Sequence, residues 1–189
     1  DYFLSGTKDK SVIYWQIDKE GRIRTGKIMQ YNPQTGRRIK SEKLKVKSEK
    51  PSISWVHSEL KIKGILPNDW ELTQCLFGEH LIKKYPQKPI MLVESEKTAI
   101  IMTCYHPCFN WLATGGLQNL KAEKIYPIRK SNIIAYPDLK CYELWKSKAE
   151  KINQEIGSKI LISHYLEEVA TPEQKELGLD IADLYLEAK

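Results

Sequence analysis

Three absences narrow what this chain does. No apolar run approaches the ~20 residues needed to cross a bilayer, so no membrane partner is expected. The first residues are charged and polar, so no secretory signal is expected in them and a cytoplasmic setting is the expectation. The chain begins at Asp1 rather than Met, which predicts a piece of a longer protein or a processed one. Cysteine is sparse, with Cys75, Cys104, Cys108 and Cys141 only. Cys104 and Cys108 flank His106, but no second close pair completes a tetrahedral set, and Pro107 follows the histidine. Small half-buried thiols in a reducing compartment are the expectation there, rather than zinc. Internal repeats and low-complexity tracts are also missing.

What is present is 189 residues, 41% of them hydrophobic, enough for one substantial core or a core plus a small annex. The net charge of +6 is unevenly spread. Residues 1–88 hold 18 Lys and Arg against 10 Asp and Glu, and residues 89–189 hold 12 against 14. A basic front joined to a mildly acidic back suits a polyanion-binding platform beside a metal site; a well-solvated surface accounts for the same counts.

The front reads as β-rich. Ser11 to Ile17 alternates, Asp18-Lys19-Glu20-Gly21 turns, and Arg22 to Tyr31 continues as strand before the Asn32-Pro33-Gln34-Thr35-Gly36 turn. Arg37 to Lys50 is predicted as an exposed strand passing into a mobile loop, and Ser54 to His57 as a short strand. Apolar spacing predicts a helix over Leu72 to Lys84, and Tyr85-Pro86-Gln87-Lys88-Pro89 breaks the chain, giving domains 1–87 and 88–189. Beyond Pro89 strands alternate with helices. The predicted strands are Ile90–Val93, Phe109–Ala113, Asn132–Tyr136 and Lys159–Ser163. The predicted helices run from Ser95 to His106, around Leu120 to Tyr126, along a Tyr142, Trp145, Ala149, Ile152, Ile156 stripe closed by Gly157, and from Asp180 to Ala188. The fold class is α/β: a sheet of about four mainly parallel strands with helices on both faces, preceded by a small β-rich subdomain.

In such sheets chemistry collects at the carboxyl ends of the strands. Glu94 follows the first strand, Gly115-Gly116 the second and Asp138 the third, and Asp180 and Asp183 follow the fourth. Acids gathered at one end repel each other, and a hard divalent cation is a common reason to tolerate them. A cap at Asp138 and a solvated turn at Glu94 account for the same residues without metal.

These segments resemble the Toprim domain of DNA primases and topoisomerases. Leu92-Val93-Glu94-Ser95-Glu96-Lys97-Thr98-Ala99 resembles its first motif, where the resemblance makes Glu94 a general acid or base. Ala113-Thr114-Gly115-Gly116-Leu117 resembles its glycine-bearing segment, with Gly115 and Gly116 as a phosphate or nucleotide loop. Ala135-Tyr136-Pro137-Asp138 resembles the strand that delivers an Asp-x-Asp pair, and Leu177 to Asp183 resembles the acidic ending of primase Toprim domains. The resemblance implies Mg²⁺ (or Mn²⁺) on Asp138, Asp180 and Asp183. It departs at position 140, where Lys140 replaces the second Asp, removing a ligand and placing a cation in the site. More faintly, Gly21 to Gly26 and Leu76-Phe77-Gly78 resemble the small basic subdomain that precedes Toprim in bacterial primases. That match implies Arg22, Arg24, Lys27, Arg37, Arg38 and Lys97 on a nucleic-acid backbone. Trp15, Tyr31 and Trp55 then either stack on bases or pack a small core. The primase zinc module has no counterpart here, and the pattern is similar to Toprim-containing proteins of bacterial mobile elements.

The function so implied is primase-like nucleotidyl transfer on single-stranded DNA, with nucleotides and a helicase as further partners. A Toprim nuclease would use the same acids, and a non-catalytic nucleic-acid-binding module with a degenerate Toprim fold is the alternative that Lys140 favours.

Overall fold

In the computed structural model, which describes residues 1–39, 53–67 and 69–187, the change of rhythm along the sequence becomes a change of sheet type. The chain divides into two units, Asp1–Cys75 and Leu76–Lys189. Among the described residues no helix is long and apolar enough to cross a membrane.

The first unit is an antiparallel sheet of β1 (Leu4–Gly6), β2 (Val12–Ile17), β3 (Ile23–Met29) and β4 (Ile53–Trp55), in that order, followed by α1 (Val56–Ile62). β2 and β3 form the expected hairpin, with a register shift between Gln16 and Ile17 where the chain enters the turn. Gly26 faces Trp15 across the hairpin. A Cβ at Gly26 would lie 2.6 Å from Ile13 Cγ2 and 2.9 Å from Val56 Cγ2, so only glycine lets these side chains close over β3. Arg38 bridges to Tyr31, and the remainder of the Lys/Arg-rich segment expected to run on to Lys50 lies outside the described residues.

The second unit is built on a parallel sheet of β5 (Ile90–Val93), β6 (Asn110–Ala113), β7 (Asn132–Tyr136) and β8 (Lys159–Ile162), in the order β6-β5-β7-β8. All four residues of β5 and of β6 are buried, which is why they read as short apolar runs without alternation. On one face Leu92, Leu112, Ile133 and Ala135 pack against Trp145, Ala149 and Ile152 of α5 (Tyr142–Ile156), the predicted stripe. Gly157 closes α5 in the left-handed conformation at φ +65°. Ala99 and Met102 are the buried apolar residues of α3 (Glu96–Tyr105), which packs on β5 and β6 and against α8 (Ile181–Glu187). A short α4 (Ala122–Ile125) precedes β7, and α6 (Tyr165–Val169) and α7 (Pro172–Leu177), which periodicity did not suggest, fill the stretch before α8.

One expected helix is mostly absent. Over Leu72–Lys84 only α2 (Leu81–Lys84) is helical. Phe77 instead exchanges two backbone hydrogen bonds with Ala113, at 2.9 and 3.0 Å, and Gly78 turns at φ +83°. Leu76 enters the core of the parallel sheet. A bridge to a distant strand thus overrides a local 3.6-residue pattern, and the stretch from Leu76 onward lies in the second unit.

Candidate functional site: a carboxylate cluster at the switch point of the sheet

From β5 the chain crosses to β6 on one side and then returns to β7 on the other, so the direction of winding reverses between β5 and β7. Open α/β sheets form their binding crevice outside the carboxyl ends of the strands at that point. Val93 stands opposite Tyr136 in the register, so Glu94 and Asp138 leave neighbouring strands at the same end. Ser95 caps α3, accepting from the Thr98 backbone N–H at 3.2 Å, and this fixes the helix start directly behind Glu94. Lys97 lies in that first turn, half-buried.

The third strand-end loop is joined by the segment before α8. Gly178 ends α7 at φ +67°, and the Leu139 N–H donates to the Leu179 carbonyl at 3.0 Å. That bond holds Asp180 beside the loop carrying Asp138. Asp180 and Asp183 cap each other's backbone: the Asp183 N–H donates to Asp180 Oδ1 at 2.9 Å and the Asp180 N–H to Asp183 Oδ2 at 3.2 Å. The Thr98 hydroxyl donates to Asp180 Oδ2 at 2.5 Å, tying the end segment to α3. Both oxygens of Asp180 therefore already accept a hydrogen bond.

The electrostatics follow. Burial, and then the charges of Glu94, Asp180 and Asp183, push the Asp138 carboxyl up to about 8. Burial, then Asp138, Glu94 and Glu167, likewise raise the neighbouring Cys141 thiol. Four carboxylates thus share one end of one sheet. No group of three or more metal-capable side chains is drawn together at coordinating distance among the described residues. The donor chemistry nonetheless fits a hard cation. Asp138 and Glu94 offer oxygen ligands, and Mg²⁺ keeps several waters and needs only one or two carboxylates.

Lys140 does not put its cation in this cluster. Its ammonium donates to the Glu176 carbonyl at 2.6 Å and its backbone N–H to Glu167 Oε1 at 3.2 Å, with the residue held at φ +71°. The sequence placed it in the site because strand register counts positions, but the left-handed turn redirects the side chain.

The cations that do border the cluster come from elsewhere. Lys148 of α5 donates to Gln118 Oε1 at 2.8 Å and to the Leu117 carbonyl at 3.3 Å. Lys124, 5% exposed, donates to the Thr114 carbonyl at 3.0 Å. Together they hold both ends of the Thr114–Gln118 loop. The Gly115 N–H in turn donates to the Glu94 carbonyl at 2.9 Å. Gly116 stands at φ +149°, a region only glycine occupies comfortably. The sequence reading missed Lys148; the available signal was its place one turn after Trp145 and directly before Ala149, on the margin of the buried stripe.

In the basic front, two of the candidate arginines gather on one carboxylate. Arg22 Nε and Arg24 Nε both lie 2.8 Å from Asp18 Oδ2, while the Glu20 and Arg22 N–H groups donate to Asp18 Oδ1 at 3.0 and 2.9 Å. Burial alone would raise this carboxyl, but the Arg22 backbone bond and the two guanidiniums more than reverse it and hold it below its ordinary value. Lys27 is 6% exposed and, at odd spacing from Arg24 along β3, faces the other side of the sheet. Arg37 and Arg38 are exposed. Trp15 and Trp55 are half-buried, and so is Tyr31, which packs edge-on to Tyr14. Trp55 adjoins His57, which stacks on Trp70. Among the candidate zinc residues, Cys104 and Cys108 are exposed rather than half-buried, and His106 Nε2 lies 2.8 Å from the Tyr185 hydroxyl.

Comparison with known proteins agrees with this architecture. No curated protein matches the chain. Among solved structures it is similar to the primase fragment of the bacteriophage T7 primase-helicase protein, at 14% identity and TM-score 0.54, over 99% of this chain and 62% of that one. It is similar to the RNA polymerase domain of Mycobacterium tuberculosis primase at 13% identity and TM-score 0.54, over 97% of this chain and 55% of that one. The Aquifex aeolicus primase, comprising zinc-binding and RNA polymerase domains, aligns at 15% identity and TM-score 0.52, over 92% and 42% of the two chains. The chain thus spans under two thirds of these three chains, and what it shares with them is the fold, a parallel four-stranded α/β sheet with its preceding β-rich part. Residues 1–139 match the model of a domain of unknown function, DUF6371, and the chain belongs to that family.

Proposed function

We propose that this chain is a primase-like nucleic-acid module that joins nucleotides on single-stranded DNA with the help of Mg²⁺ or Mn²⁺. The observation that carries the reading is the Asp138 carboxyl, raised to about 8 by burial and by Glu94, Asp180 and Asp183 at the switch point of the sheet. A carboxyl so crowded releases its proton to solvent readily only when a cation bound beside it offsets the charge of its neighbours. Asp138 and Glu94 would hold the divalent ion, with Asp180 and Asp183 supplying field and keeping the end segment in place. Such an ion offsets charge on phosphate oxygens as a phosphodiester bond forms. Glu94 would act as the acid or base toward the attacking hydroxyl. Among the candidate residues of the front half, Arg37 and Arg38 are exposed and outside the Asp18 clamp, suited to contact with a DNA backbone. A helicase partner and a mobile-element setting belong to the same reading, by likeness to the T7 primase-helicase and to the Toprim pattern.

The test is primer synthesis on a single-stranded template with ribonucleotides, paired with calorimetric Mn²⁺ titration. Glu94→Gln should abolish synthesis and leave DNA binding intact; Asp138→Asn should abolish both synthesis and Mn²⁺ binding. A second reading, a non-catalytic binding module, is favoured by Lys140 at the position of the family's second Asp. It predicts DNA binding that ignores both Mg²⁺ and Asp138→Asn, with no synthesis.

A further inference from the structure

The face of the parallel sheet turned away from α5 carries an aromatic chamber that the carboxylate site does not use. Leu112 and Ala135 pack under α5, so their strand neighbours Trp111 and Tyr136 point to the opposite face. There the two rings lie 5.7 Å apart. Phe109 stands edge-on to Trp111 at 6.3 Å and 86°. His106, at the end of α3, stands edge-on to Tyr185 of α8 at 5.1 Å and 87°. With Tyr165 of α6, these six rings line a cavity of about 230 Å³. Tyr165, 43% exposed, is its one exposed wall, and the other rings are buried or half-buried.

The polar atoms of the wall are committed to the wall. Trp111 Nε1 donates to the His106 carbonyl at 3.1 Å, and His106 Nε2 shares a hydrogen bond with the Tyr185 hydroxyl at 2.8 Å. No Lys or Arg among the described residues lines the cavity. Charge along its walls is of one sign. Asp180 directly precedes Ile181, which also lines the cavity, and Asp183 follows two residues on. Asp138 follows Tyr136 by two, and Glu167 follows Tyr165 by two. Such a chamber repels an anion, so it is no place for a phosphate. An ammonium with N–H groups would find few acceptors to replace its water. A fully alkylated nitrogen needs no acceptor, and aromatic rings attract its charge. We propose that the chamber binds a free small organic cation with a fully alkylated nitrogen, of about the size of choline. The cavity is smaller than the ~300–1,000 Å³ of sites for drug-sized ligands, so one compact headgroup fills it. This site goes beyond the primase-like reading and does not rest on it.

Calorimetry of the full chain with choline, at one ionic strength, tests the assignment. Choline should bind with a Kd on the order of 1 mM or tighter. Dimethylbutanol, its uncharged carbon isostere, should bind at least about tenfold more weakly. Tyr165→Leu removes an exposed ring without opening the core and should weaken choline about threefold to tenfold. Tyr165→Phe keeps the ring and should stay within about twofold of the parent. Equal binding of choline and dimethylbutanol would overturn the cation, leaving an apolar cavity indifferent to charge. Indole binding more tightly than choline would overturn it in favour of a flat neutral ring. A trimethyllysine peptide binding more tightly than choline would overturn the free small molecule as occupant. Choline affinity unchanged in Tyr165→Leu, or no choline binding by the parent, would overturn the site itself. Each of these outcomes leaves the primase-like reading to its own synthesis assay.

Discussion

Replacing Asp138 with Asn should stabilise the metal-free protein, by an amount that depends on pH. In the unfolded chain this carboxyl ionises near 3.8; in the fold, burial and three neighbouring acids raise it to about 8. A group raised on folding contributes its full stability below the unfolded value and loses it as pH climbs toward the folded value. At pH 7 the native state must therefore hold a proton that the unfolded state has released. Each tenfold in proton affinity is about 1.4 kcal/mol, so the gap to pH 7 is worth on the order of 4 kcal/mol. Asp138 keeps partial solvent contact, and relaxation of the loop around it lowers that to about 2 kcal/mol. Asn carries no proton to titrate and keeps the shape. The variant should melt on the order of 5–10 °C higher than the parent at pH 8, with the difference shrinking toward pH 5. If Asp138 holds the proposed cation, adding millimolar Mg²⁺ should reverse the ranking, because Asn offers no carboxylate to it. Thermal melts in EDTA at pH 5, 6.5 and 8, followed by circular dichroism, make the comparison. A difference that is flat across this range, or an Asn variant less stable throughout, would refute a buried carboxylate crowded by like charge.

Lys140→Asp should change Mn²⁺ affinity by less than about threefold, because the side chain at 140 is aimed at the Glu176 carbonyl and not at Asp138; a tenfold tightening by calorimetry would put position 140 back in the site. Asp18→Asn should cost about 1–3 kcal/mol, read as a lower urea midpoint, because it weakens the bonds from Arg22 and Arg24 and frees their charge. The carboxyl of Asp18 is held low, so its contribution is present above the ordinary carboxylate range and is lost as pH falls through the depressed value; the parent's advantage over Asp18→Asn should vanish in strong acid. Neutralising Arg37 and Arg38 together should lower the salt slope of single-stranded DNA binding by about 1–2. Neutralising Lys27, 6% exposed, should leave that slope unchanged.

The parallel sheet and its acidic end were readable because the relevant information is local. A strand buried on both faces must be a short apolar run, as Ile90–Val93 is, and whatever follows it emerges at the carboxyl end. Glu94 and Asp138 needed nothing more than that. The misread parts depend on partners far away in sequence. Leu72–Lys84 has helical spacing, but Phe77 finds Ala113 and Leu76 finds the sheet core. Arg22 and Arg24 count toward a basic surface until Asp18, which read as a turn residue, is seen to collect them both. Lys148 has no motif around it; it matters through the loop that α5 happens to reach.

The exchange of an acid for Lys140 is the strongest sequence argument against catalysis, and its force depends on where the ammonium goes. In the cluster it would satisfy the carboxylates from within, and Asp138 would be drawn down toward an ordinary acid. Bonded to the Glu176 carbonyl, it leaves the acids to crowd one another, and Asp138 rises instead. The site has therefore lost one possible ligand but kept its demand for positive charge. Lys148, which feels the charge of Glu94, does not meet that demand, since Asp138 stays raised. The primase-like reading answers that demand with a divalent cation, whereas the binding-module reading leaves it to the buried proton on Asp138.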